Sequence, residues 1–165
     1  MPLALVRIDD RLVHGQVVEG WIPNLKAELV LVASDTAAAD ELQISLMRLA
    51  LPEAVILEVL PVAQAARHPG FNPDYPKRVL VLVPGPQEAL RLLEEGASFA
   101  RVNVGGLHYT AGKVQLGRAI YLSEKDKQAL IGISRRGIRL EGRALPNERE
   151  TDLMDTLGAY AESRA

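Results

Sequence analysis

A single-domain α/β fold, with a mostly parallel central sheet of about six to seven strands and helices on both faces, is predicted by three features of the sequence. Short apolar runs alternate with helix-like segments along most of the chain. Several runs are continuously apolar rather than alternating, and the helix-like segments carry recognisable start and stop residues. Continuous runs suit strands covered on both sides, the situation of a parallel sheet between two helical layers.

The expected strands are Leu3–Ile8, Leu29–Val32, Ala54–Leu60, Val79–Val83, Arg101–Val104, Gln115–Leu122 and Ile138–Leu145, with VLVLV at Val79–Val83 the clearest buried run. Helices are expected between them. His14–Trp21 follows the first run. Thr36–Leu51 follows the second, with Asp35 or Thr36 as its N-cap and Leu46, Met47, Leu49 and Leu51 on its core face. Pro86–Glu95 opens on proline and ends before Gly96, the expected asymmetry of helix ends. Ser123–Arg135 starts Ser-Glu-Lys-Asp and stops at Gly137. From Asn147 to Glu162 the chain is polar and amphipathic, so a C-terminal helical tail is expected from about residue 147 of one domain spanning 1–165.

Composition narrows the function. A chain of 165 residues is long enough to bury one core. Its formal charge is −2 and its basic residues are scattered, so no nucleic acid partner is expected; such binding needs many phosphate contacts from one basic face. There are no cysteines, which removes disulfides, thiolate nucleophiles and Cys-based zinc or iron–sulfur sites. MPLALVRIDD does not read as a signal peptide, and no apolar run approaches the roughly 20 residues that span a bilayer. A membrane role would come through a partner.

In parallel sheets ligands sit beyond the carboxyl ends of the strands, and the loop after the first strand is the most unusual of these. It reads Arg7-Ile8-Asp9-Asp10-Arg11-Leu12-Val13-His14-Gly15-Gln16-Val17. A helix start offers unpaired N–H groups and a positive dipole end, and Arg11 adds a planar guanidinium suited to phosphate oxygens. A neutral imidazole at His14 is a nucleophile able to attack a phosphoryl group. Asp9 or Asp10 could orient that ring, hold Arg11 or cap the helix, and Gly15 lets a backbone approach closely. Spacing alone therefore gives an anion site containing a histidine.

IDDRLVHGQV also resembles the N-terminal motif of IIB components of the mannose/fructose/sorbose family of the bacterial phosphotransferase system (PTS). Trp21, NVGGLHYTAGK at Asn103–Lys113 and SEKDKQAL at Ser123–Leu130 continue the likeness, which covers roughly Leu3 to Pro146. The resemblance implies a parallel α/β sheet and a phosphohistidine at His14. It implies that His14 takes a phosphoryl group from a phosphohistidine on a IIA partner and passes it to a sugar held by membrane IIC and IID partners. That is the activity of a protein-Nπ-phosphohistidine–sugar phosphotransferase. Arg11 is implied to stabilise the transferring group, and Asp10 is taken as the acid nearest the site, orienting it. The resemblance further implies a cytoplasmic protein docked on a membrane permease, and it admits homo-oligomers. No nucleotide, metal or organic cofactor is expected; there is no Walker A pattern, and Gly105-Gly106 is not a dinucleotide fingerprint.

Other residues read as structural. His68, in Arg67-His68-Pro69-Gly70, is expected in an exposed loop. His108 is expected on the sheet edge of the His14 loop, as a turn residue, lining the pocket or touching a partner. Ser34-Asp35-Thr36 and Pro84-Gly85-Pro86 read as a helix cap and a turn, and Trp21 as half-buried. A response-regulator receiver shares paired acids after strand one, but AVILEVLPV supplies no acidic phosphoacceptor at its end and Asn103-Val104-Gly105-Gly106 no lysine. Two other readings keep the fold: a phosphorylation-state regulator of a system lacking a transporting partner, and an anion-binding module in which His14 is structural.

Overall fold

Six of the seven apolar runs become strands of one sheet. The computed structural model describes residues 3–117 and 119–157. Strands β1 (Leu3–Asp9), β2 (Leu29–Ala33), β3 (Ile56–Leu60), β4 (Val79–Val83), β5 (Arg101–Gly106) and β8 (Arg139–Gly142) are mutually parallel, in the order β3-β2-β4-β1-β5-β8. A seventh short strand, β9 (Thr151–Asp152), pairs antiparallel with β8 at the edge. β1 thus lies centrally between β4 and β5, and its carboxyl end carries the loop singled out above.

The continuous apolar runs have the expected cause. In β4, Val79, Val81 and Val83 enter one core while Leu80 and Leu82 enter the other; in β2, Leu29 and Leu31 oppose Val30 and Val32 in the same way. One face is covered by α4 (Val62–Ala65), α5 (Pro86–Glu94) and α6 (Glu124–Arg135), through Ala65, Leu92, Leu130 and Ile133 among others. The other is covered by the helical segment 15–25, α2 (Asp35–Ala38) and α3 (Glu41–Ala50), through Val17, Trp21, Ala37 and Met47. Caps fix several helix ends. Ser123 and Asp126 form a reciprocal capping box on α6, and Gly85 precedes Pro86 at the first turn of α5.

The structure departs from the expected elements in four places. The helix expected over Thr36–Leu51 is two helices, broken at Ala39 and Asp40; Ser34 and Asp40, not Asp35 or Thr36, cap them through their side-chain oxygens. In α3 Met47 is buried in the core, Ile44 packs against it partly buried, and Leu51 lies just beyond the helix. Leu46 and Leu49, expected on the core face, are exposed together with Leu42, because the break at Asp40 sets the helix phase. Gln115–Leu122 is an antiparallel hairpin, β6 (Val114–Gly117) with β7 (Ile120–Leu122), standing outside the main sheet. Finally, the expected tail opens on a turn, passes through β9 and becomes helical only over 153–157; the remainder, to Glu162, lies outside the described residues.

The segment after β1 is also modified. Its helix widens to a π-turn over Val17–Trp21, closed by the Ile22 N–H on the Val17 carbonyl, before α1 (Ile22–Leu25). Pro23 has no N–H to return to the carbonyl four residues back, and the wider turn lies just ahead of it. Leu145 and Pro146 pack over Gly20, where a Cβ would lie 3.3 Å from Leu145.

Candidate functional site

A buried row of polar residues crosses the sheet beneath the His14 loop. Arg7, Asn103 and Glu141 occupy matching positions on β1, β5 and β8, and none is more than 1% exposed. The Arg7 guanidinium donates to Asn103 Oδ1 (2.5 Å), to the carbonyls of Arg143 and Ala144 (both 3.0 Å) and to Asp9 Oδ2 (3.1 Å). It lies 4.9 Å from the centre of the Trp21 ring, and Trp21 Nε1 donates to the same Ala144 carbonyl at 2.8 Å. Trp21 is fully buried rather than half-buried, because the segment after β8 lies over it. Gly105 supplies the space for the guanidinium: a Cβ there would stand 1.9 Å from Arg7 Cζ. Its glycine is thus explained by a neighbouring side chain rather than by a turn.

Arg7 and Asp9 are two apart on one strand and so share a face. Asp9 is wholly buried, and burial on its own would raise its pKa. Its hydrogen bond from His14, the charges of His14 and Arg7 and the Arg11 amide outweigh that and hold it below the ordinary value of 3.8. Asp9 is therefore an ionised acceptor. Burial is also the largest influence on Arg7, drawing its pKa below the ordinary guanidinium value against the opposing pull of Asp9.

His14 sits above this pair. Its Nε2 lies 2.8 Å from Asp9 Oδ2, and its side chain is 14% exposed. Because the carboxylate can only accept, Nε2 carries the hydrogen, and in the neutral form of the ring Nδ1 is the nitrogen with the lone pair. The approach to the loop is open: a Cβ on Gly15 would meet nothing within 4 Å. Arg11 is exposed; its amide donates to Asp9 Oδ1 at 3.1 Å and its guanidinium to Gln16 Oε1 at 3.3 Å. Leu12 takes a left-handed conformation (φ 59°), uncommon for such a residue, with its side chain buried in the core below.

The model of the family described as the PTS system sorbose subfamily IIB component matches residues 3–164. The chain belongs to this family of PTS IIB components. Among relatives, the mannose-specific EIIAB component of Escherichia coli K12 is 37% identical over 158 residues, covering 95% of this chain and 49% of that one. This IIB chain thus spans about half the length of those first relatives. It also matches the sorbose-specific EIIB component of Klebsiella pneumoniae, 31% identical, over 98% of both chains. In structure it is similar to the IIBSor domain of the sorbose permease from Klebsiella pneumoniae, with a TM-score of 0.87 and 28% identity over 96% of this chain and 98% of that one.

The acids of the IIB loop divide differently from the sequence expectation. Asp9, not Asp10, contacts His14; Asp10 instead faces His108, whose backbone N–H and Nδ1 both lie 2.6 Å from its oxygens. The reason is the pleat: Asp9 ends β1 on the Arg7 face, whereas Asp10 begins the turn, its N–H on the Gly106 carbonyl at 3.0 Å. Asp10 lines a cleft of about 440 Å³ with Ser34, Asp35 and Pro84, so the loops after β1, β2 and β4 meet at one edge. There Ser34 caps α2 while Asp35 receives the Val62 amide at 2.8 Å and pairs with Arg91. His68 is not in an exposed loop: its ring is mostly buried, takes the Gly70 amide on Nδ1 at 2.9 Å and meets Glu58 at 2.6 Å. Sequence reading missed Arg7 and Asn103. Their signal was a polar residue set between apolar neighbours within each of two strands, Val6-Arg7-Ile8 in LALVRID and Val102-Asn103-Val104 in RVNVGG. Among the described residues, no group of three or more His, Asp or Glu side chains is placed to hold a metal, and no helix is long and apolar enough to cross a membrane.

Proposed function

We propose that this chain is a phosphocarrier that accepts a phosphoryl group on His14 Nδ1 from a phosphohistidine of a IIA partner and delivers it to a sugar bound by membrane IIC and IID partners. The observation that carries the reading is the His14–Asp9 contact. With Asp9 pinned by Arg7 and taking the Nε2 hydrogen, Nδ1 alone is free to attack.

In the first step the Nδ1 lone pair forms a bond to phosphorus as the donor's P–N bond breaks, its electron pair returning to the donor ring. Positive charge develops on the His14 imidazole, and the Asp9 carboxylate on Nε2–H stabilises it, as the acid does in a Ser-His-Asp triad. Arg11, exposed beside the loop, neutralises charge on the phosphoryl oxygens during transfer. In the second step a sugar hydroxyl oxygen bonds to phosphorus and releases its proton to solvent, while the N–P bond breaks and its electrons return to Nδ1. Transfer between donors of similar energy needs mainly positioning and charge stabilisation, which these residues supply. The open face at Gly15 suits successive docking of two partners on one imidazole. We assign the activity to the protein-Nπ-phosphohistidine–sugar phosphotransferase class, acting at the cytoplasmic face of a permease, with sugar choice belonging to the membrane partner.

The test is acid-labile phosphate incorporation from a phosphoenolpyruvate-driven relay with a IIA donor. Label is expected on wild type and not on His14→Ala. Absence of label on folded wild type across several IIA donors would overturn the reading.

A further inference from the structure

The two consecutive acids each hold one histidine, and by opposite ring nitrogens: Asp9 meets His14 at Nε2, Asp10 meets His108 at Nδ1. The second pair has no part in the transfer chemistry above. His108 lies just past the end of β5, and its ring is 58% exposed. Both Asp10 oxygens are engaged at 2.6 Å, one by the His108 amide and one by its ring, while the Asp10 amide returns to the Gly106 carbonyl. Lys113 donates to the His108 carbonyl at 3.1 Å and stands 3.9 Å from Asp126, tying this loop in turn to the first turn of α6.

What the clasp holds is the strained part of the catalytic loop. Leu12, two residues past Asp10 and two before His14, is left-handed, a conformation that costs about 1 kcal/mol or more for a residue with a side chain. Its amide and that of Arg11 are held by Asp9, at the carbonyl (3.0 Å) and at Oδ1 (3.1 Å). Among the described residues, the Asp10 amide and carboxylate bond to the segment Gly106–His108 and to no other segment. We propose that His108 is a positioning residue, whose ring fixes the His14 loop through Asp10. The proposal rests on the reading that His14 carries the phosphoryl group.

Two conservative variants separate the ring nitrogens. Asparagine places an amide N–H where Nδ1 is; glutamine places one nearer Nε2. At saturating IIA donor, His108→Ala and His108→Gln should transfer about tenfold more slowly with unchanged donor KM, since small misplacement of a nucleophile costs rate rather than binding. His108→Asn should stay within about twofold of wild type. Amide hydrogen exchange of Arg11 and Leu12, read without any donor, should quicken in His108→Ala and not in His108→Asn. Wild-type rate and exchange in His108→Ala would overturn the proposal, as would rescue by glutamine and not asparagine, or a change confined to donor KM. Failure of the phosphocarrier reading is distinct: wild type itself would take no label, and the exchange measurement alone would then decide whether His108 holds the loop.

Discussion

The guanidinium of Arg7 fills the volume in which a side chain on residue 105 would begin, 1.9 Å from where its Cβ would stand. A glycine on β5 is thereby part of the histidine site, because it lets the central strand carry a buried cation under Asp9.

Replacing Gly105 by alanine should therefore displace Arg7 and destabilise the protein by about 2–3 kcal/mol, in the range of core overpacking. Gly106→Ala is the control. Its Cβ would sit 3.5 Å from Asp9 Oδ1, an ordinary contact, and should cost under about 1 kcal/mol. Urea denaturation of both variants checks this; equal losses would contradict the packing argument.

The phosphoryl group should be found on Nδ1 of His14. Nitrogen-resolved NMR of the phosphorylated protein distinguishes the two ring positions, and attachment at Nε2 would remove Asp9 from the mechanism. His14→Ala should lose all transfer yet keep its fold to within about 1 kcal/mol, because Asp9 retains Arg7 as its partner.

Arg11→Lys should slow transfer by about tenfold, because an ammonium cannot offer the guanidinium's two parallel donors. Stability should move by less than about 0.5 kcal/mol, since Arg11 is exposed and its guanidinium bonds only to Gln16 among the described side chains. An unaltered transfer rate would exclude the assigned role.

Asp9→Asn should lower the transfer rate by about 10²-fold or more, by analogy with loss of the acid in a triad. It should also destabilise the fold by about 3 kcal/mol by leaving Arg7 buried without its counter-charge. The sign of the pH effect follows from a depressed carboxyl pKa. In wild type the contribution of Asp9 is complete above 3.8, its unfolded value, and is lost as pH falls through the lower folded value. Denaturation midpoints at pH 7, 4 and 3 should show this fall in wild type and a flatter acid limb in Asp9→Asn.

Much of the fold was legible because its signals are local. A run such as VLVLV must be covered on both faces wherever it sits, and the alternation of strands and helices along most of the chain already implies a parallel sheet. Gln115–Leu122 misled for the same reason: it is apolar enough for a strand, but nothing within it says that it folds on itself. The leucines of α3 misled because a helix's core face depends on where it starts, and the break at Asp40 is made by a side-chain cap.

By itself the sequence determined the α/β class, the strands that build the sheet and the histidine in the loop after the first of them, since each is written in neighbouring residues. The tertiary structure alone decided which of two adjacent acids holds His14. That choice depends on the pleat at the end of β1, on Arg7 anchored by Asn103 96 positions away, and on a glycine that leaves the cation room. Partners so distant in sequence meet only when strands come into register, and no local pattern encodes that register.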